Sequence, residues 1–371
     1  MTVPARHEEQ SDVGRDLKLS IIVTSFNHAR FVGSAITSAL DVRWPRKEVI
    51  VVDDGSTDNS PEVIASFGDR IIAITKPNGG QNSAANVGFA RATGDLVLFL
   101  DSDDLLQPSV GEEVAAVWTA RTSKVQFGHI YVDHEGKSIG EVWPDYLLNP
   151  PLEPTLATLR RRGFYEAPTT SGNVWSRSFL EMVFPLPEAS PSRLPGAYYG
   201  LFFDAYLNML APCFGEVVTL RTPQGCYRVH SANDSGSGKT LSPDFFLNRA
   251  RDYARVVAKA NEVLAALGKT PGFLIDCERD EMQMRYRLIA RRMIPEVCGR
   301  ESLARLFAMY CRSVLLGDFS TKHRLLCLCW ALLTAGAPYP VARWAIDLRA
   351  APALRPGFLH PFMRVRAGAK P

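Results

Sequence analysis

"VLFLDSDDLLQP", residues 97–108, continues an apolar run that opens at Leu96 and closes it with three carboxylates in four positions. An unbroken run of this length, without polar alternation, marks a strand covered on both faces, so "DLVLFL" (95–100) is expected to be one. Two readings of the acids stay open. An Asp-rich turn starts the next element well, because Asp closes Asx-turns. Three carboxylates held together also raise one another's pKa unless a cation neutralises them. Hard oxygen donors at one locus suit Mg2+ or Mn2+, with water and phosphate filling the other positions.

The same pattern recurs upstream. "LSIIVT" (19–24), "EVIVVDD" (48–54) and "RIIAIT" (70–75) read as further buried strands. Between them, "ARFVGSAITSAL", "SPEVIASFG" and "NSAANVGFARATG" carry helical spacing; Ser60 suits an N-cap, Pro61 the first helical position, and Gly68 and Gly94 the stops. Strands alternating with helices at this interval imply βαβ units and a mostly parallel sheet flanked by helices. Ligands of such sheets bind beyond the carboxyl ends of the strands. "TSFN", "DDGSTD" and "DSDD" follow three of the four strands and should therefore share one edge. "DDGS" by itself is also good turn chemistry, with Gly55 free to take positive φ.

Farther along, the order is less regular. "SKVQFGHIYVDHEG" (123–136) is expected to be one strand, 144–154 a loop, "LFFDAYLNML" (201–210) a helix, and "GEVVTL" and "GCYRVH" strands. From Pro243 three long segments have three-to-four spacing, which puts a boundary near 240 and a helical region over 241–371. The opening 1–16 is polar without an apolar core, so neither a signal peptide nor an anchor is expected there, and the chain should be cytoplasmic. Seven cysteines, an odd number without C-x-x-C or zinc spacing, are expected to be reduced thiols.

Net charge is +3 but uneven: from Thr321 onward eight Lys or Arg face one acid, Asp347, leaving a net −4 before it. That asymmetry points to an acidic surface or partner for the tail. "LLCLCWALLTAGA" (325–337) is too short for a standard span of about 20 residues. A buried helix and monotopic attachment to an anionic membrane surface, through Trp330, Trp344 and the flanking arginines, both remain open. Nucleic acid is excluded as a partner, since the basic residues lie among apolar helices with no DNA- or RNA-binding module. "GSGKT" (236–240) lacks the first glycine of a P-loop, because Asn233 stands there, and no G-x-G-x-x-G follows the first strand.

Taken together, "LSIIVTSFNHARFVGSAITSAL", "VIVVDDGSTDNS", "NGGQNSAANVGFARATGD" and "LFLDSDD" resemble the N-terminal half of family 2 glycosyltransferases with the GT-A fold, over residues 17–120. The resemblance implies a GT-A domain over 17–240, with a nucleotide-binding half (17–120) and an acceptor half (121–240). It implies a nucleotide-sugar donor, most often a UDP-sugar. Thr24 and Asp54 would then contact the base and Asp53 support the same pocket, with Phe26 and Asn27 in the adjoining turn. Gln81 and Asn86 would line the donor site, although helix capping explains them as well. Asp101 is expected near ribose or metal, Asp103 as a ligand to Mg2+ or Mn2+, and Asp104 as a substitute ligand. "YYGLFFDAYLNMLAPCFGEVVTLRTPQGCYRVHSANDS" has the layout of the family's catalytic segment. That makes Asp204 the candidate base, although Phe203 stands where the family carries Glu, and makes His230 a metal or diphosphate contact. Gly172 and Asn173 are placed at the acceptor side.

The function so implied is inverting transfer to a glycan or lipid-linked acceptor in bacterial surface-polysaccharide assembly, in the cytoplasm and peripherally on the inner membrane. The alternatives are a nucleotidyltransferase, which shares such a sheet and carboxylate-bound Mg2+, or a catalytically silent sugar-nucleotide-binding scaffold.

Overall fold

The computed structural model describes residues 16–143, 155–188, 203–230, 242–269, 272–296, 301–317 and 319–350. The expected loop at 144–154, the P-loop-like "GSGKT" and the boundary near 240 lie outside them. The described strands form two sheets. The larger contains β1 (Leu19–Ser25), β2 (Lys47–Asp53), β3 (Ile72–Thr75), β4 (Leu96–Asp101), β6 (Thr122–Gln126), β9 (Asn173–Ser176) and β10 (Glu216–Thr219), in the order β10-β6-β9-β4-β1-β2-β3. The smaller runs β5 (Leu105–Leu106), β11 (Gly225–Arg228), β7 (His129–Val132), β8 (Ser138–Trp143).

Strands β1 to β4 pair in parallel; β1, β2 and β4 are largely buried, whereas β3, expected to be buried, is the edge strand and alternates between half-buried and exposed residues. Successive side chains along them alternate between two cores. Ile22, Ile50, Val52, Val97 and Phe99 face helices α3 (Gln81–Arg91), α6 (Arg177–Val183) and α7 (Phe203–Leu210). Ile21, Val23, Val49, Val51 and Leu98 face α1 (Val32–Asp41), α2 (Ser60–Ala65) and α4 (Val110–Val117). Helix α5 (Thr155–Arg162) adds Leu159 to the first core. The helical region follows as α8 (Pro243–Ala266), α9 (Glu281–Met293), α10 (Leu303–Leu316), α11 (Thr321–Gly336) and α12 (Tyr339–Ala350). Tyr253, Val256, Ala260 and Leu264 of α8 enter the first core, so the helical region is continuous with the sheet. The remaining helices close a third core around Met284, Leu288, Tyr310 and Trp330.

Several sequence expectations change here. The strand expected over 123–136 is two strands in different sheets, because the chain leaves β6 at Phe127, whose N–H donates to Gly172 O at 2.9 Å, and rejoins at β7. Ser60 is the first residue of α2 rather than its cap; its hydroxyl is spent on Asp58 Oδ1 at 2.6 Å. Strand β9 enters antiparallel between β4 and β6.

Gly88 sets how closely α3 seats on the sheet. A Cβ there would lie 2.4 Å from Ile22 Cγ2 and 3.3 Å from Val52 Cγ2. Gly88→Ala should lower stability by ~1–3 kcal/mol, the usual range for an overpacked core, as read from the urea unfolding midpoint; an unchanged midpoint would contradict this seating of α3.

Candidate active site

The carboxyl ends of β1, β2 and β4 lie side by side, with Thr24 opposite Asp101 and Ser25 opposite Asp53. Thr24, Ser25, Asp53 and Asp54 are all buried. Their hydrogen bonding separates the two adjacent aspartates. Asp54 is consumed by the loop that leads into α3: it accepts from Lys76 Nζ at 2.6 Å, from Gly79 N–H at 3.0 Å and from Gly80 N–H at 2.7 Å. Asp53 accepts only the Ser56 N–H, at 3.2 Å through Oδ2. Its Oδ1 and the neighbouring Ser25 Oγ have no hydrogen-bond partner among the described residues. Buried polar atoms rarely remain so, and two at one strand edge mark a place where a ligand supplies the missing groups.

The loop held by Asp54 delivers Gln81, whose Nε2 donates to Asp101 Oδ1 at 2.7 Å. The "DDGS" and "DSDD" clusters are therefore joined through one short segment. Burial, with the charges of Asp103 and Asp204, pushes the Asp101 carboxyl up to about 8. Asp103 goes the other way: burial opposes ionisation, but the His230 Nε2 contact at 3.0 Å and the charges of His28 and His230 outweigh it. Asp204, near the start of α7, is also raised by burial, against the lowering charges of Arg249 and Lys124. The carboxylate of α7 and the D-x-D thus lie close enough to repel.

Asp104, the expected substitute ligand, is committed elsewhere. It accepts from Ser171 Oγ at 2.7 Å and from the Arg228 N–H at 3.1 Å, while Ser171 Oγ accepts the Asp101 N–H at 3.1 Å. The Arg228 guanidinium donates to Asp103 O at 2.9 Å, to His134 O at 3.0 Å and to Ser34 Oγ at 3.2 Å, and lies 5.0 Å from the Phe31 ring. These contacts lock the "DSDD" turn between β11 and the turn before β9. Sequence reasoning missed Arg228, Ser171 and His28, whose Nδ1 lies 2.7 Å from Ser102 Oγ. His28 carries a signal, being a histidine three residues past β1; Ser171 carries none.

The remaining residues expected at the site fall as follows. Phe26 is 44% exposed at the edge beside Asp53. Asn27, at φ 54°, ties the first turn to the second by accepting the Thr57 N–H at 2.7 Å. Asn86 exchanges two hydrogen bonds with the backbone of Leu186, at 2.7 and 2.9 Å, which anchors that segment to α3. Gly172 is packed against Pro168 and His129, and Asn173 is buried in β9 with its Nδ2 donating to Thr169 O at 2.7 Å.

The donor set suits a divalent cation shared with a ligand. Asp101 and Asp103 offer hard oxygens, and the repulsion stored at Asp101 is what a cation would relieve. Among the described residues no three His, Cys, Asp or Glu side chains converge to hold a metal by themselves. Mg2+ and comparable ions are commonly held by one or two carboxylates plus substrate phosphates, which is the arrangement available here.

Residues 20–175 match the family model described as Glycosyl transferase family 2. An uncharacterized glycosyltransferase of Nostoc sp. is 31% identical over 235 residues, 62% of this chain and 70% of that protein. The hyaluronan synthase of Pasteurella multocida is 38% identical over 107 residues, 28% of this chain but 11% of that protein. Among solved structures, TarS 1–349 of S. aureus in complex with UDP-GlcNAc superposes with a TM-score of 0.50 at 18% identity, covering 90% of this chain and 91% of that one.

The raised Asp101 has a signed consequence for stability. An acid whose folded pKa exceeds its unfolded value stabilises the fold below the unfolded pKa and loses that contribution as pH rises through the folded one. Metal-free protein should therefore lose stability between about pH 4 and pH 8, the window set by the ordinary value of 3.8 and the raised one. Asp101→Asn should flatten that slope in thermal melts; a variant that melts with the wild-type pH profile would place the slope elsewhere.

Proposed function

The chain belongs to the family 2 glycosyltransferases, and from that premise we propose that it transfers a sugar, with inversion, from a UDP-sugar to a hydroxyl of a glycan or lipid-linked acceptor in bacterial surface-polysaccharide assembly. The observation that carries this reading is that the ends of β1, β2 and β4 bring Asp101, on which Asp103 and Asp204 both bear, to the edge where Asp53 Oδ1 and Ser25 Oγ lack partners among the described residues. One locus thus offers a base-binding acceptor atom, a diphosphate-binding pair and a proton acceptor.

Uracil presents an N–H that the Asp53 carboxylate suits, and the exposed Phe26 ring offers it an apolar face. This exchanges the roles expected of the adjacent aspartates: Asp53 meets the base and Asp54 shapes the loop. Asp101 and Asp103 would hold Mg2+ or Mn2+ with the diphosphate, where the cation supplies Lewis-acid stabilisation of the leaving phosphate. His230 then acts through Asp103, which it orients. Asp204 takes the proton of the acceptor hydroxyl as that oxygen bonds to the anomeric carbon and the bond to the diphosphate breaks on the opposite face. A raised pKa makes its carboxylate a better proton acceptor, and the charges of Arg249 and Lys124 oppose that rise. The donor and acceptor unit is read as residues 17–240, with 241–371 as the helical region.

Membrane contact is proposed for α11 and α12. Leu325, Leu326, Leu332, Leu333, Tyr339 and Trp344 are exposed there, and the only acid in either helix is Asp347, which is paired with Arg343. No helix among the described residues is long and apolar enough to cross a membrane, so attachment would be at the surface.

UDP release from a panel of UDP-sugars, with an acceptor extract and Mn2+, should stop in excess chelator. Asp204→Asn should lower it by about 10²–10⁴-fold, the range for loss of a general base, while UDP–Mn2+ binding measured by thermal shift persists. Full turnover under chelation would remove the cation, and an active Asp204→Asn would remove the base. Sedimentation with phosphatidylglycerol vesicles should retain the wild type, and Leu325→Asp with Leu332→Asp should abolish retention; equal retention of both proteins would assign these leucines another role.

A further inference from the structure

Lys124 in β6 is a lysine with 0% of its surface exposed, on the strand between β10 and β9 of the larger sheet. Its ammonium donates to Asn208 Oδ1 on α7 and to the Tyr165 hydroxyl at 3.2 Å, and lies 5.0 Å from the Trp175 ring and 5.2 Å from that of Tyr165. Among the described residues no carboxylate pairs with it directly. Burial pushes its pKa well down, and the one charge drawing it back up is that of Asp204. A methionine in this place would fill the core without desolvating a charge, so packing alone does not account for a lysine.

The hydrogen bonds leading from Lys124 reach both halves of the site. Asn208 lies four residues after Asp204, on the same face of α7. Its Nδ2 donates to Pro168 O at 3.4 Å, which is where the turn carrying Ser171 begins. Ser171 in turn holds the Asp101 backbone and the Asp104 carboxylate. One buried amine therefore ties the helix of the proposed base to the turn that fixes the D-x-D.

We propose that Lys124 is a positioning residue: through Asn208 and the Pro168–Gly172 turn it sets the distance between Asp204 and Asp101. This rests on the reading of Asp204 as the base. Its effect belongs in turnover, because the base it positions acts in the chemical step, while the proposed base-binding contact at Asp53 does not pass through it.

The test uses full-length protein and UDP release in Mn2+ from UDP-GlcNAc, UDP-glucose or UDP-galactose, whichever the wild type turns over. Lys124→Met should keep or raise the unfolding midpoint, hold the donor KM within about threefold and lower kcat at least tenfold. Asn208→Ala, which leaves the amine in place, should lower kcat comparably, and the double variant should lose little more than either single one, as coupled residues do. Wild-type kcat in Lys124→Met, or in Asn208→Ala should the first variant not fold, overturns the proposal. So does a loss that appears only as raised KM. Asp204→Asn, measured alongside, separates the two readings: if it is inactive while Lys124→Met is fully active, only the positioning role fails; if it is active, the base assignment fails first.

Discussion

Carboxylates gathered at the end of a buried strand repel one another, and the turns around β4 can be understood as three answers to that repulsion. Asp104 is satisfied by Ser171 and the Arg228 N–H, so its two oxygens brace the fold. Asp103 is compensated by histidines: His230 touches it and His28 adds charge nearby. Asp101 receives the Gln81 amide and the Thr170 hydroxyl, yet burial and the charges of Asp103 and Asp204 outweigh them. An arrangement in which every acid was paired would leave no reason for a cation to enter. Burial and neighbouring carboxylates raise both Asp101 and Asp104, and of the two it is Asp104 whose oxygens are tied into the fold by Ser171 and the Arg228 N–H.

The parallel half of the fold was legible because β1, β2 and β4 are buried on both faces and therefore written as apolar runs, from "LSIIVT" to "DLVLFL". The edge they share followed from topology, and Thr24, Asp53 and Asp101 meet there as expected. What was not legible depends on chain reversal and long-range pairing. Strand β9 is four residues long and antiparallel, inserted between strands distant from it in sequence, and no local pattern announces that. The break at Phe127 was hidden for the same reason, since apolar character continues across it while hydrogen bonding moves to another sheet.

Asp53 and Asp54 show the limit at the level of single atoms. They are the same residue type, adjacent, both buried at the end of β2, and sequence offers no way to rank them. The backbone decides, because side chains alternate in direction along a strand. Asp54 meets the amide groups of Gly79 and Gly80; at Gly79 a Cβ would lie 2.6 Å from Ser83 Oγ, and Gly80 takes a φ of 85° that favours glycine. Asp53 remains beside Ser25 with an oxygen unspent. Asn86, one turn into α3, is expected at the donor site, and its amide exchanges two hydrogen bonds with the backbone of the buried Leu186.

Buried cations complete this division of labour. Arg228 and Lys124 both lie inside the molecule near the acids, and both bond chiefly to neutral atoms, backbone carbonyls and a hydroxyl for the first, an amide and a phenol for the second. Arginine suits the first task because its planar fork presents five donors in fixed directions, and three separate segments must be gripped at once. Lysine suits the second, where a compact charge must sit between two aromatic rings under α7. Neither cation directly neutralises a carboxylate side chain of the D-x-D: the charge of Arg228 bears on Asp103 and Asp104, and that of Lys124 on Asp204. A direct ion pair at Asp101 would have stabilised the empty site and removed its demand for a cation, so indirect placement of the positive charge is what lets the same residues be both well folded and receptive.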